Sequence, residues 1–138
     1  MTPRPATTQR QESTAQIRCH IGAYTQLHEL HTTILRKELY AGNNAKNVAK
    51  AFYDFHETSG YKDWLLYGPL HGNGLMEGEA PWIESNSDFI LPENLTFCAC
   101  LFLGNPKLHI GCRVEDTMRV AQGIGESMTN YPKEIFRK

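Results

Sequence analysis

Gly68, Gly72 and Gly74 crowd a single imidazole in the run Tyr67-Gly68-Pro69-Leu70-His71-Gly72-Asn73-Gly74-Leu75, which continues to Glu79-Ala80-Pro81-Trp82. Glycine lets backbone approach closely and adopt positive φ, so the spacing predicts a rigidly presented His71 at the mouth of a turn. A metal ligand or a proton carrier needs that presentation, although a Gly-rich turn holding an ordinary histidine fits the segment equally well. A second constellation is Gly111-Cys112-Arg113-Val114-Glu115-Asp116-Thr117-Met118. As a strand it puts Arg113 and Glu115 on one face and Cys112, Val114 and Asp116 on the other, so Glu115 is either half of a surface ion pair or an anionic ligand. Cys98 and Cys100 also share a strand face, where they act as small buried hydrophobes or, with His71, as a soft thiol-rich metal site. His20, His28 and His31 fall along one side of a predicted helix and read as a polar helix face or a surface metal site.

The elements that must position these residues follow from periodicity. Ile17, Ile21, Tyr24, Leu27, Ile34 and Leu35 have near-helical spacing, predicting a long amphipathic helix over 13–39. Gly42 suits a left-handed cap, and Asn44 suits the N-cap of a second helix from Ala45 to Thr58, stopped by Gly60. After Gly60 the period changes. Trp64-Leu65-Leu66-Tyr67 is a short apolar run leading into the His71 loop, and strands are predicted over Leu95–Leu103 and Cys112–Ala121. Helices first and strands later make an α+β fold, two N-terminal helices packed on an antiparallel sheet. Residues 1–12 read as a flexible lead-in, and 13–138 as one domain.

Composition narrows the function classes. With 138 residues, 41% hydrophobic and 21% charged, the chain is the size of one globular domain. A formal net charge of −1 provides no basic field, which argues against nucleic acid or an anionic membrane as partner. No apolar stretch approaches the roughly 20 residues that span a bilayer, and the N-terminus lacks the apolar core of a secretory signal, so a cytoplasmic location is expected. Four cysteines are few for a disulfide scaffold of this length and read as reduced thiols.

The ordered motifs, HGxGL at His71, an acid and a proline at Glu79 and Pro81, RVEDT at Arg113, and Thr129-Asn130-Tyr131-Pro132-Lys133-Glu134, resemble one family over roughly residues 41–136. The resemblance is to the C-terminal half of the pita-bread metallopeptidases: methionine aminopeptidase, aminopeptidase P, prolidase and their relative creatinase. It implies a metal-dependent aminopeptidase or Xaa-Pro peptidase that uses divalent Mn, Co, Zn or Fe. The family's motif glutamate bridges two metals and its histidine ligates one, which assigns those roles to Glu115 and His71. The resemblance further implies catalytic roles for His71 and Glu79, and substrate contacts for Arg113 and His109.

The chain also departs from that pattern. Aligned on Phe97, Cys100 stands where the family has a carboxylate ligand, and a thiol suits Zn²⁺ or Fe²⁺ better than Mn²⁺ or Mg²⁺. Gly78 stands at the place of a second histidine, beside Glu79, which cannot reproduce an imidazole. The two aspartate ligands implied by the resemblance have no counterpart, since neither Asp54 nor Asp63 has the expected setting. Only His71 and Glu115 plainly remain, and two donors do not close a divalent site.

Two readings follow. One is a truncated or diverged hydrolase with an incomplete dinuclear site, acting on short peptides or small amides, or a creatinase-like or lyase enzyme on the same scaffold. The other is a catalytically silent scaffold whose open sheet edge makes a homodimer the expected partner.

Overall fold

The computed structural model describes residues 6–132 and 134. Met1–Pro5 of the expected lead-in, and Lys133 and the residues after Glu134, lie outside it. Helix α1 (Ala6–Glu29) runs into a π-helical segment (Leu30–Leu35) and a final turn, α2 (Arg36–Glu38). The helix therefore starts at Ala6 rather than near Ser13, and residues 6–12 are helical. No Gly or Pro interrupts the chain after Pro5 until Gly22, and Gln, Arg, Glu and Ala are good helix formers.

The π segment is the second departure from the expected continuous α-helix. Leu27, His31, Leu35 and Leu39 are all buried. A strict four-residue spacing drifts around an α-helix of 3.6 residues per turn. The wider turns through Leu30–Leu35 take up that drift and keep the stripe on the sheet. Ile17, assigned to the stripe by spacing, is 57% exposed, and Ala23 takes a core position instead.

Helix α3 (Ala45–Ser59) begins where the sequence indicates. The Asn44 side chain accepts a hydrogen bond from the Lys46 backbone N–H at 3.0 Å, and Gly60 closes the helix with φ 78°. Its buried face is Ala45, Val48, Ala49, Phe52 and His56. A short 3₁₀ turn (Lys62–Trp64) leads on to the sheet.

Five antiparallel strands follow: β1 (Leu70–Gly72), β2 (Glu79–Ile83), β3 (Thr96–Asn105), β4 (Ile110–Arg119) and β5 (Glu126–Ser127), in the order β2-β1-β3-β4-β5. The β3–β4 hairpin is continuous from Thr96↔Arg119 to Asn105↔Ile110. Phe97, Ala99, Leu101 and Leu103 of β3, with Val114 and Met118 of β4, face the helices and are buried. Among the described residues no helix is long and apolar enough to cross a membrane.

His56 is fully buried on α3, its ring 4.7 Å from that of Phe52, and neither ring nitrogen has a hydrogen-bond partner among the described residues. Burial pushes its pKa down to about 4. The unfolded chain binds the proton near pH 6.5 and the folded chain only near 4, so stability is complete above 6.5 and is lost as pH falls toward 4. The gap is worth about 3 kcal/mol at 1.36 kcal/mol per unit of pH. Urea melts of the protein and of His56→Phe between pH 7 and 4 should show the variant losing that part of the acid slope; equal slopes would exclude His56 as its source.

Candidate functional site

The site lies on the face of the sheet opposite the helices, and strand register assembles it. His71 pairs with Cys98 across β1 and β3, Cys98 with Thr117, Cys100 with Glu115, and Phe102 with Arg113. Directly opposed residues share a face, and so do residues two apart along a strand. His71, Cys98, Cys100, Arg113 and Glu115 therefore emerge on one side. His71 is the middle residue of β1, and the chain leaves the strand after Gly72. The role of Gly72 is close approach: a Cβ there would meet the carbonyl oxygens of Ala80 at 2.7 Å and Glu79 at 2.8 Å. That contact sits at an irregularity in the β1–β2 register, where the Ala80–Pro81 peptide is cis.

The loop after His71 is tied down by side chains. Asn73 Nδ2 donates to Thr117 Oγ1 at 2.9 Å, and Thr96 Oγ1 donates to the Asn73 carbonyl at 3.3 Å. His71 Nδ1 lies 3.0 Å from the Gly72 carbonyl oxygen, an acceptor only, so the bond requires a proton on Nδ1 and, in the neutral ring, puts the lone pair on Nε2. The ring also leans on Trp82, with centroids 5.3 Å apart.

Glu115 is held at both oxygens. The Cys98 thiol donates to Oε1 at 3.2 Å, and Arg113 Nη2 lies 2.5 Å from Oε2. Arg113 also reaches toward Glu77, at 3.8 Å. Burial first, then the bond and charge of Glu115, push the Cys98 thiol up to about 12. Burial also raises Cys100, against the opposing pull of Arg113. Both thiols are thus neutral at physiological pH.

A cleft of about 570 Å³ opens here, lined by Leu66, Tyr67, His71, Trp82, Cys100 and Arg113 among others. Glu115 sits on the same sheet face, paired to Arg113 beside the cleft. Like Glu115, two further expected members do not line it. The Glu79 carboxylate turns back to accept from the Met76 backbone N–H at 3.2 Å, packing against Gly74. His109 occupies the exposed β3–β4 turn with φ 51°. Gly78 borders the cleft, and a Cβ at that position would lie 3.8 Å from His71 Nδ1.

The histidines of α1 separate. His31 is buried and its Nε2 lies 3.2 Å from Asp116 Oδ2, on the helix face of β4. His20 is exposed, and His28 packs its ring against Tyr24. The expected polar stripe is therefore not one surface. Asp116 also accepts from the hydroxyls of Ser127 and Thr129. Strand alternation already put Asp116 on the core face, and a carboxylate there needs a partner from the packed helix; the sequence reading assigned His31 elsewhere.

These residues do not fit a divalent metal. The Glu115 oxygens already accept from an S–H and a guanidinium, so neither is free to ligate an ion. Among the described residues no three His, Cys, Asp or Glu side chains come together to hold an ion.

Comparison with known proteins bears on the fold. No family model matches the chain. It is similar to solved structures of an Xaa-Pro aminopeptidase from Thermotoga maritima (TM-score 0.73, 25% identity, 83% of this chain and 32% of that one) and an Xaa-Pro dipeptidase from Bacillus anthracis (TM-score 0.73, 25% identity, 81% and 31%). Over the part it spans, the chain has the pita-bread fold of these peptidases. A putative dipeptidase, YkvY, from Bacillus subtilis (strain 168) is 28% identical over 80 residues, 58% of this chain and 22% of that protein. The chain thus spans about a third of the solved relatives and less of the curated one. Within the pita-bread sheet, the direct Cys100↔Glu115 pairing sets a thiol beside the motif glutamate.

Because the atoms opposing Gly72 are backbone, they cannot swing aside. Gly72→Ala should cost about 1–3 kcal/mol in a urea melt, the usual size of an overpacking penalty. At Gly104 the nearest atom is the end of the Leu66 side chain, so Gly104→Ala should cost less. Equal costs would mean that β2 does not press on Gly72.

Proposed function

We propose that this pita-bread peptidase-family domain binds short peptides or small amides in the His71–Arg113 cleft without hydrolysing them. The observation that carries the reading is the pairing of both Glu115 oxygens, one with Arg113 and one with the Cys98 thiol. Amide hydrolysis in this family draws its nucleophile from metal-bound water. Where the resemblance calls for an anionic pocket that attracts divalent cations, this chain carries a resident guanidinium and two protonated thiols. Cys100 replaces a carboxylate, and Gly78 offers no side chain to move a proton.

What the cleft retains is binding chemistry. His71 Nε2 accepts from an amide N–H, the remaining Arg113 N–H groups donate to a carbonyl, and Trp82 and Tyr67 present apolar faces. Its volume of about 570 Å³ falls in the range of small-ligand sites. The fold's usual reaction does not decide the matter, because activity resides in the site.

Reduced, purified protein should therefore leave dipeptide and Xaa-Pro substrates intact with added Mn²⁺, Co²⁺ or Zn²⁺. Calorimetry should register dipeptide binding that weakens about tenfold in His71→Ala, as loss of a hydrogen bond plus ring packing would produce. Turnover by the wild-type chain that disappears in His71→Ala, together with stoichiometric two-metal binding, would overturn the proposal.

A further inference from the structure

Resting on the reading of this cleft as a small-ligand site, we infer that the group it selects is an organic cation, an ammonium or guanidinium on an apolar arm. Three observations converge on that class. First, the charged groups lining the cleft are Glu77, Glu84 and Arg113. Arg113 is committed to Glu115 at 2.5 Å and lies 3.8 Å from Glu77, whereas the Glu84 carboxylate has no ion pair among the described residues. An anionic ligand would have to share Arg113 with Glu115 while facing the carboxylates of Glu77 and Glu84. A cation meets an unpaired carboxylate and disturbs nothing.

Second, the apolar walls are aromatic and half exposed. Tyr67 is 54% exposed and Trp82 49% exposed. Each ring has an aromatic neighbour: Tyr67 packs on Phe102 with centroids 5.7 Å apart, and Trp82 leans on His71. Aromatic faces attract ammonium and guanidinium groups through the ring quadrupole, tryptophan most strongly, and the attraction grows when the cation leaves water. Third, Cys100 on the inner wall adds no second positive charge, so the carboxylates of Glu77 and Glu84 outnumber the single guanidinium of Arg113 among the charged groups lining the cleft. Its size, about 570 Å³, exceeds what a bare ion fills and accommodates a cationic side chain with its backbone.

Glu84 and Trp82 stand on or beside β2, whose end is pinned where the Glu84 backbone N–H donates to Ser87 Oγ at 2.8 Å and that hydroxyl donates to the Trp82 carbonyl at 2.9 Å. The carboxylate and the ring are thereby held on one short, braced segment. Both side chains are exposed at the cleft rim, so they can be changed without opening the core.

The test uses three capped probes of equal length: acetyl-alanyl-lysinamide, its norleucine counterpart and its glutamate counterpart. Calorimetry on the full chain at low salt should find the lysine probe bound at least about tenfold tighter than norleucine, and glutamate weakest. That preference should shrink severalfold in Glu84→Gln and at raised ionic strength, as expected for a partly exposed charge. Trp82→Ala should weaken the lysine probe more than Trp82→Phe, which retains an aromatic face. Norleucine or glutamate binding as tightly as lysine would overturn the cation assignment while leaving the cleft a binding site. Absence of binding by all three probes, in a chain with an unchanged circular dichroism spectrum, would remove both readings.

Discussion

Strict alternation along the paired strands β3 and β4 is the constraint on which this molecule depends. Ten successive cross-strand pairs leave no freedom to turn one side chain over without turning all of them. One face delivers Phe97, Ala99, Leu101, Leu103, Val114 and Met118 to the helices, where burial of apolar surface stabilises the fold. The other delivers Cys98, Cys100, Arg113 and Glu115 to the cleft. A one-residue slip would exchange the two sets, placing charges beneath the helices. The core thus fixes the register, and the register sets the site.

On the cleft face, the decisive effect of the Arg113–Glu115 pair is occupancy more than stability. Both side chains are partly exposed, and ion pairs in such settings are worth little. Yet the pair, with the Cys98 thiol on the second oxygen, satisfies the one acidic group that strand order brings into the middle of the sheet. An arginine cannot lose its charge at physiological pH, so it serves as a permanent counterion. That distinguishes the site from one built to hold an exchangeable metal ion at Glu115, and leaves Glu84 at the cleft rim without an ionic partner among the described residues.

The opposite face shows the same logic under burial. Asp116, one residue from Glu115, points into the core, where an unpartnered carboxylate would be costly. Its partners are His31, from the π-helical segment, and the hydroxyls of Ser127 and Thr129. The helix, the hairpin and the segment after β5 meet on this one carboxylate. The π segment has a mechanical role in that meeting, since it turns His31 and Leu35 toward the sheet together.

Much of this was legible in the chain itself. Helix α3 was readable because its ends are marked by local chemistry, the Asn44 cap and the left-handed Gly60. The two long strands were readable because alternation is a property of neighbouring residues, and from it the shared face of Arg113 and Glu115 followed without coordinates. The ordered HGxGL and RVEDT motifs pointed to the pita-bread fold, and Cys100 already stood out in place of a carboxylate. What no local pattern contained was partnership across the fold. The sequence cannot say that the Gly72 backbone lies against the carbonyls of Ala80 and Glu79. Nor does helical spacing alone assign His31 to Asp116, far along the chain, or turn Glu79 away from the cleft while leaving Glu84 at its rim. Those outcomes depend on how separate elements pack, where distance in sequence carries no information about distance in space, and tertiary structure alone decided them.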